Sequence, residues 1–591
     1  MRLISPSPAH ATLAGPVAIA ATLAAGAGLT MAWMGPFGPY LVAYVSVFVL
    51  AAVALNVVIG WAGMVSAGHG GLLAIGGYTY ALVASHGHSV WLALLASIAV
   101  GGVVGAFLAL PTFRTSGLFY AIITLAFGVV VGQLIIVFDD VTKGSNGLAV
   151  DRPTIAGISL VEDSSLAWFG VTVAAIGIIV VGAFRHSVIG RRIVTVKSSE
   201  PAARALGLDP RRYKLIAMVL SAAVAALAGA LYGIVVGYLS PGDFGIDLSI
   251  LLLAMTVVGG TRYLIGPVLG AVLLAGVSQS WATLAEYDAL FFGAILTATT
   301  VLFGSGGLTG AAVLVARLLR RTARQAHGEV PNPAPSSLES SRNREPRLEE
   351  WSDIVPEETH VLAIRDLSVD FGGVKALSHV DLTVHSRDLL GLIGPNGAGK
   401  STLFNCASGF VRPTSGSVEL LGVDVTSVPV QRRAARGLGR TFQEMEMINE
   451  LSVRESLLVS RVSTPDSPSF GDVDELARLL GLGDVLEQRP TDLSYGIRKR
   501  AALARALAAE PAVLLLDEPA AGLTDREAGA MADLLRQLYD QSQLTLVVVE
   551  HNMSFLRRLV DSVALMQQGQ LVTRVPVGEL DSDATIREAY L

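Results

Sequence analysis

The first 317 residues are a succession of about ten apolar runs divided by short polar breaks, a pattern suited to a bilayer. The runs lie near residues 12–33, 40–60, 62–84, 90–110, 118–138, 166–184, 213–239, 248–260, 264–283 and 288–316. A helix needs roughly 20 residues to cross the hydrocarbon core, and most of these runs reach that length. Inside lipid every backbone polar group must be satisfied within the segment, which selects helices. Residues 1–317 are therefore expected to form a polytopic α-helical membrane domain of about ten spans. Run 248–260 is short and depends on its neighbours. The glycine-rich stretch 68–77 is a candidate for a broken or re-entrant helix.

Charge sets the expected orientation. The segment 185–214 carries Arg185, Arg191, Arg192, Lys197, Arg204, Arg211, Arg212 and Lys214 against Glu200 and Asp209. The positive-inside rule makes it cytoplasmic. Counting back through the runs puts Arg114 and Arg2 on the same side and Asp139, Asp140, Asp151, Glu162 and Asp163 outside. Counting forward puts Arg262 inside, Asp243, Asp247, Glu286 and Asp288 outside, and the basic stretch 317–324 inside. The first run resembles a signal peptide, but cleavage would remove one crossing and break this parity. It is read as the first helix of a multi-pass protein of the cytoplasmic membrane.

Composition agrees. The chain is 52% hydrophobic, and its net charge of −6 gives no sign of a nucleic-acid partner. One cysteine, Cys406, rules out a disulfide framework within the chain and is read as packing. Residues 318–358 are polar and rich in Pro and Ser (VPNPAPSSLESSRNREPRLEE). They lack the apolar residues of a core and are expected to be a flexible linker. A tether of about 40 residues spans roughly 30–40 Å, enough for a following domain to dock beneath the membrane domain.

From residue 359 to 591 the pattern turns α/β. Runs 389–394, 513–517 and 545–550 read as buried strands, and 400–408 and 498–509 as helices. GPNGAGKS at 394–401 matches G-x-x-x-x-G-K-[ST] between a strand and a helix. The loop of Gly394, Pro395, Asn396, Gly397, Ala398 and Gly399 can wrap its N–H groups round the phosphates of ATP. The helix N-terminus, at Lys400, Ser401 and Thr402, adds a favourable dipole. Lys400 is expected at the β/γ-phosphates and the Ser401 hydroxyl on Mg²⁺. VLLLDE at 513–518 is a buried strand ending in two carboxylates. Asp517 is the expected Mg²⁺ partner, and Glu518 the general base for the attacking water. The C-terminal part is thus expected to be a P-loop NTPase domain.

These motifs resemble the ATP-binding cassette domain of ABC transporters over roughly 230 residues. The resemblance implies an ABC-type ATPase and further roles by position. Gln443 in RTFQ resembles the glutamine that contacts Mg²⁺ near the membrane domain. Ser494 and Gly496 in LSYG resemble the signature loop that caps ATP on a second cassette. AAGLTD at 520–525 stands at the D-loop position, and His551 in VVEHNM resembles the histidine that contacts the γ-phosphate. Phe371 is a candidate to stack on adenine, with plain core as the alternative. The signature departs from the family at Ile497, where Gln or Glu is usual.

Longer matches narrow the family. GPNGAGKSTLFNCASGF, RTFQ, DEPAAGL, EHNM and the closing EAYL resemble the ATPase subunit of branched-chain amino-acid importers. LNVVIGWAGMVSAGHGGLLAIGGY, GLFYAIITLAF, TKGSNGL and YKLIAMVLSAAVAALAGALY resemble the permease subunit of the same importers. Two subunits that are usually separate are expected to be fused here. Ser198 and Ser199 followed by Glu200 and Pro201 predict a helix start, and Gly207 a helix end. This short cytoplasmic helix resembles the loop by which importer permeases seat in their ATPase. The resemblance implies a second permease, a second ATPase and an extracytoplasmic solute-binding protein as partners. The alternative substrate is urea or a short amide. An exporter fits less well because it would show about six long helices. A membrane regulator that transports nothing would carry a larger outside domain than 139–165. In the membrane half Asn56, His69, Gln133 and Gln279 are polar, and a pathway and plain interhelical bonding are both open for them.

Overall fold

The computed structural model describes residues 8–113, 115, 117–155, 157–280, 288–303, 306–311, 360–442, 447–461, 473–540, 542, 544–580, 582 and 586. Arg2, Arg114, the linker expected at 318–358, Gln443 and the closing 588–591 lie outside them. Contacts divide the chain into two units, 1–197 with 211–331, and 198–210 with 332–591. The expected domain boundaries kept 198–210 with the membrane half; by its contacts this segment belongs to the other unit.

The first unit is helical. Helices occupy Pro8–Trp33, Phe37–Asn56, His69–Ser85, Val90–Ala109, Leu118–Val137, Asp163–His186, Pro210–Val236, Ile246–Gly259, Ile265–Ser280 and Asp288–Phe303, one for each expected run. Six of the described helices are long and apolar enough to cross a membrane. Ile246–Gly259 is apolar but shorter, at 14 residues.

Phe37–Asn56 is apolar on all sides and buried along most of its length, the signature of a helix at the centre of a bundle. Val90–Ala109 and Leu118–Val137 instead expose Leu95, Val103 and Phe107, and Leu118, Phe119, Ile122 and Val137. Such a surface is stable in lipid and not in water.

The expected span at 62–84 is corrected. After Asn56 the chain makes one π-helical segment, Val57–Trp61, runs without helix over 62–68, and becomes helical only at His69. The glycine-rich stretch 68–77 is mostly continuous helix, so the break precedes it. Tertiary hydrogen bonds tie the break to its neighbours. Ala67 N–H donates to Thr124 Oγ1 at 3.0 Å. His69 lies between Ser66 Oγ at 3.0 Å and Ser221 Oγ at 2.9 Å, and Ser221 donates to the Ala54 carbonyl at 2.6 Å. His69 is thus a buried interhelical link, while Gln133 faces outward. Among the described residues the buried Asn56 amide has no hydrogen-bond partner.

Small residues let these helices touch. A Cβ on Gly76 would collide with the Ala226 carbonyl, and one on Gly229 with the Leu73 carbonyl.

The second unit is an α/β cassette. Its six-stranded sheet runs Leu438–Arg440, Val513–Asp517, Thr545–Val549, Leu389–Ile393, Ser562–Gln567, Gln570–Pro576, parallel except for the last strand. Val513, Leu515, Val547 and Val549 enter one core, and Leu514, Leu516, Leu546 and Val548 the other. Burial on both faces explains why these strands read as unbroken apolar runs. A four-stranded antiparallel sheet, 374–385, 360–371, 415–420 and 423–424 in that order, completes the fold.

Gly76→Leu should cost about 3 kcal/mol or more through overpacking, seen as a collapse in detergent-stable, monodisperse protein. Gly132→Ala, where an added Cβ meets nothing within 4 Å, should leave yield and thermal midpoint unchanged.

Candidate functional site

The strand Leu389–Ile393 delivers the chain to the loop 394–399, and the helix Lys400–Ser408 leaves it. The loop turns back on itself through Gly397 at φ 82° and Gly399 at φ 100°, which no side chain adopts without strain. The helix N-terminus therefore points its free N–H groups into the loop. Lys400 is 7% exposed, and its ammonium donates to the carbonyls of Gly394 at 2.5 Å and Pro395 at 2.9 Å. Burial lowers its pKa, and the charges of Glu518 and Asp517 oppose the shift. Ser401, one residue into the helix, is exposed.

The neighbouring strand Val513–Asp517 ends in Asp517, 8% exposed, and Glu518. Burial raises the Asp517 pKa, against the pull of Arg440. Glu518 leaves the strand at φ 49°, a left-handed backbone unusual for a carboxylate residue and commoner at functional sites. Its N–H donates to the Val549 carbonyl at 2.9 Å, and its own carbonyl accepts from Lys499 Nζ at 2.9 Å. His551 Nε2 stands 3.8 Å from Glu518 Oε1. The structure thus brings Lys400, Asp517, Glu518 and His551 to one end of the parallel sheet, where α/β proteins bind ligands.

Phe371 is 53% exposed where the hairpin strands 360–371 and 374–385 meet, so plain core is excluded for it. Ser494, exposed, stands at the N-cap position of the helix Tyr495–Leu507 without a side-chain cap bond, and Gly496 sits in its first turn. Ile497 packs half-buried against the apolar core, which explains an aliphatic residue at a position that is usually polar.

Three residues with evident roles carried no sequence signal of their own. Glu550, 3% exposed, accepts from Ala520 N–H at 2.6 Å, His551 N–H at 2.7 Å and Asn552 N–H at 3.1 Å. It therefore ties the loop after Glu518 to the backbone that presents His551. Lys499 reaches from the signature helix to the Glu518 carbonyl. Arg440 lies beneath the phosphate helix and donates to Asn405 Oδ1 at 2.8 Å, Ser408 Oγ at 2.7 Å and Asp517 Oδ2 at 3.4 Å. The rings of Phe404, Phe410 and Phe442 surround its guanidinium at 5.8, 5.6 and 5.1 Å.

The segment 198–210 joins this unit through a short helix. Ser199 caps Glu200–Ala205, accepting from Ala202 N–H at 3.1 Å, and Gly207 ends it at φ 78°. Ala202 and Ala203 are buried, Ser198 Oγ donates to Glu450 Oε2 at 2.9 Å, and the helix packs against Val430–Ala434.

Residues 39–300 match the family model for the permease component of branched-chain amino acid transport systems, and residues 377–521 match that for ABC transporters. The high-affinity branched-chain amino acid transport ATP-binding protein LivG of Salmonella typhimurium is 32% identical over 39% of this chain and 97% of that protein. The chain belongs to the branched-chain amino-acid ABC transporters. The corresponding Pseudomonas aeruginosa protein BraF is 29% identical over the same shares. A sulfate/thiosulfate import ATP-binding protein, CysA of Mycobacterium bovis, is 36% identical over 36% of this chain and 60% of that protein. A nucleotide-free ATP-binding cassette of known structure aligns with 39% of this chain at 26% identity and a TM-score of 0.35. This transporter therefore carries a permease-type membrane half and an ATP-binding half in one chain, and its cassette hydrolyses ATP to drive transport.

Arg440→Leu should destabilise the cassette by about 3–5 kcal/mol by stranding the buried Asp517 carboxylate. Arg440→Leu combined with Asp517→Asn should recover part of that loss in denaturant melts of the full chain.

Proposed function

We propose that this chain is an importer that takes up branched-chain amino acids across the cytoplasmic membrane, with its cassette in the cytoplasm. The observation that supports this most is the permease match over 39–300, which lies in the same chain as a cassette resembling LivG. The reading includes ten crossings, with the basic segment 185–214 facing the cytoplasm. It also includes a second permease and a second ATPase, each separate or in a second fused chain, and an extracytoplasmic binding protein that delivers the solute.

In the cassette, the backbone of 394–399 and the helix N-terminus hold the ATP phosphates, with Lys400 on the β/γ-phosphates and Thr402 in the same turn. Phe371 stacks on adenine. Glu518 accepts the proton of the attacking water, and His551, 3.8 Å from it, holds the γ-phosphate and the carboxylate in register. Ser494 and Gly496 close over ATP bound to the partner cassette. The donors fit Mg²⁺, being a hydroxyl at Ser401 and a buried carboxylate at Asp517, both hard oxygen ligands. Among the described residues no cluster of three His, Cys, Asp or Glu could hold a metal by itself. The ion would thus share its ligands with the nucleotide phosphates, with Gln443 as a further contact, and neutralise charge developing on them.

Glu518→Gln should bind ATP with unchanged affinity while turnover falls by about 10²-fold or more, the usual share of a general base. Lys400→Ala should instead weaken nucleotide binding itself, measured by equilibrium titration of the purified chain.

Substrate is decided by uptake. Proteoliposomes holding the purified assembly and its binding protein should accumulate labelled leucine when ATP is inside. Accumulation of urea or acetamide with no leucine would establish the alternative substrate class. Uptake into inverted vesicles from the ATP side, without a binding protein, would make the protein an exporter.

A further inference from the structure

The phosphate helix Lys400–Ser408 is gripped at its far end by a buried side chain from the element that receives the 198–210 segment. Arg433 is 1% exposed and lies in the helix Val430–Ala434. Its Nη1 donates to the carbonyls of Cys406 and Ala407, both at 2.7 Å. These belong to the last turn of the phosphate helix, where carbonyls have no partner inside the helix. Its Nε reaches Val428 O at 2.9 Å and its Nη2 reaches Thr426 O at 3.0 Å. Gly409 follows the helix at φ 86°, and a Cβ there would meet Arg433 Nε at 2.8 Å. The helix end is therefore shaped to admit the guanidinium.

Four neutral carbonyl oxygens hold this buried cation by direct hydrogen bonds. Their number and the planar fork fix the position of Val430–Ala434 against the phosphate helix, since tilting either would leave a buried donor unpaired. Val430–Ala434 also packs against the helix Glu200–Ala205. Val430–Ala434 thus touches the 198–210 segment and, through Arg433, the helix whose other end forms the phosphate loop.

We propose that Arg433 is a positioning residue that transmits motion between the 198–210 segment and the ATP-binding helix. This rests on reading Glu200–Ala205 as the element through which the membrane half and the cassette act on each other. Nucleotide closing on 394–401 shifts the phosphate helix along its axis. Arg433 carries that shift to Val430–Ala434 and so to Glu200–Ala205. A lysine at this place keeps the charge but is a single point donor, so the fork is lost.

The test is hydrogen–deuterium exchange of the full chain, with and without Mg²⁺ and a non-hydrolysable ATP analogue, in Arg433→Lys and Arg433→Met. In the parent chain the analogue should slow exchange at both 400–409 and 198–210. In Arg433→Lys the analogue should still bind within about threefold of the parent affinity and still protect 400–409. Its effect at 198–210 should fall by about half or more as coupling is lost. If 198–210 responds as in the parent, or if the parent shows no response there, the proposal is wrong. If Arg433→Lys loses protection at both segments, Arg433 only builds the ATP site, and the proposal is again wrong. Arg433→Lys decides the matter should Arg433→Met fail to fold. No transported solute enters the assay, so failure of the importer reading would leave this result standing.

Discussion

A buried guanidinium must find acceptors for its donors, and this cassette has two such groups beneath one helix. Arg433 takes the last carbonyls of the phosphate helix, and Arg440 takes the Asn405 and Ser408 side chains and the Asp517 carboxylate. Removing either leaves polar atoms stranded in a dry interior, which costs more than the bonds themselves contribute. Both arginines come from a short stretch, 430–440, that ends where RTFQ begins. The phosphate helix is consequently held at one end by the glycine turn and at the other by this stretch. Its position is therefore constrained at both ends. The mechanics of the cassette follow from that double constraint.

The membrane unit obeys a different rule. Its helices have no water to satisfy them, so the backbone bonds lost over 57–68 must be replaced by neighbours. Thr124 accepts from Ala67 N–H and Ser221 donates to the Ala54 carbonyl, His69 links Ser66 to Ser221, and Gly76 and Gly229 let the helices close in. Fusing the two halves changes their assembly more than their chemistry. Here one chain carries both the 198–210 segment and the cassette it packs against.

Much of this was legible in the sequence, and the reasons are local. Gly397, Gly399 and Lys400 announce a phosphate loop because the turn demands glycine at fixed offsets. Ser199, Pro201 and Gly207 announce a short helix because caps act within one turn. The apolar runs announce helices because length and hydropathy suffice for that. The break at 62–68 was misplaced because hydropathy stays high through a π turn and an irregular segment. Arg433 was invisible for a related reason. In QRRAARGLGR nothing local separates it from Arg432 or Arg436, which are exposed; only the fold turns one of the three inward. Glu550 stood beside a recognised histidine and still gave no sign of the three N–H groups it binds. Phe371 had two open readings, and its exposure at the end of the hairpin excluded one.

The account turns on the claim that the 198–210 segment is seated on the cassette through Ser198, Glu450 and Val430–Ala434. The most direct measurement is cross-linking by a short flexible bis-maleimide in the full chain carrying Ser198→Cys and Glu450→Cys. The native Cys406 is buried and does not compete. The reagent should give a bridge in high yield, both with and without ATP, because the native side chains meet at 2.9 Å and a flexible spacer covers the reach lost with the glutamate. Absence of the bridge, with both engineered thiols still reacting freely with a small maleimide, would contradict the account.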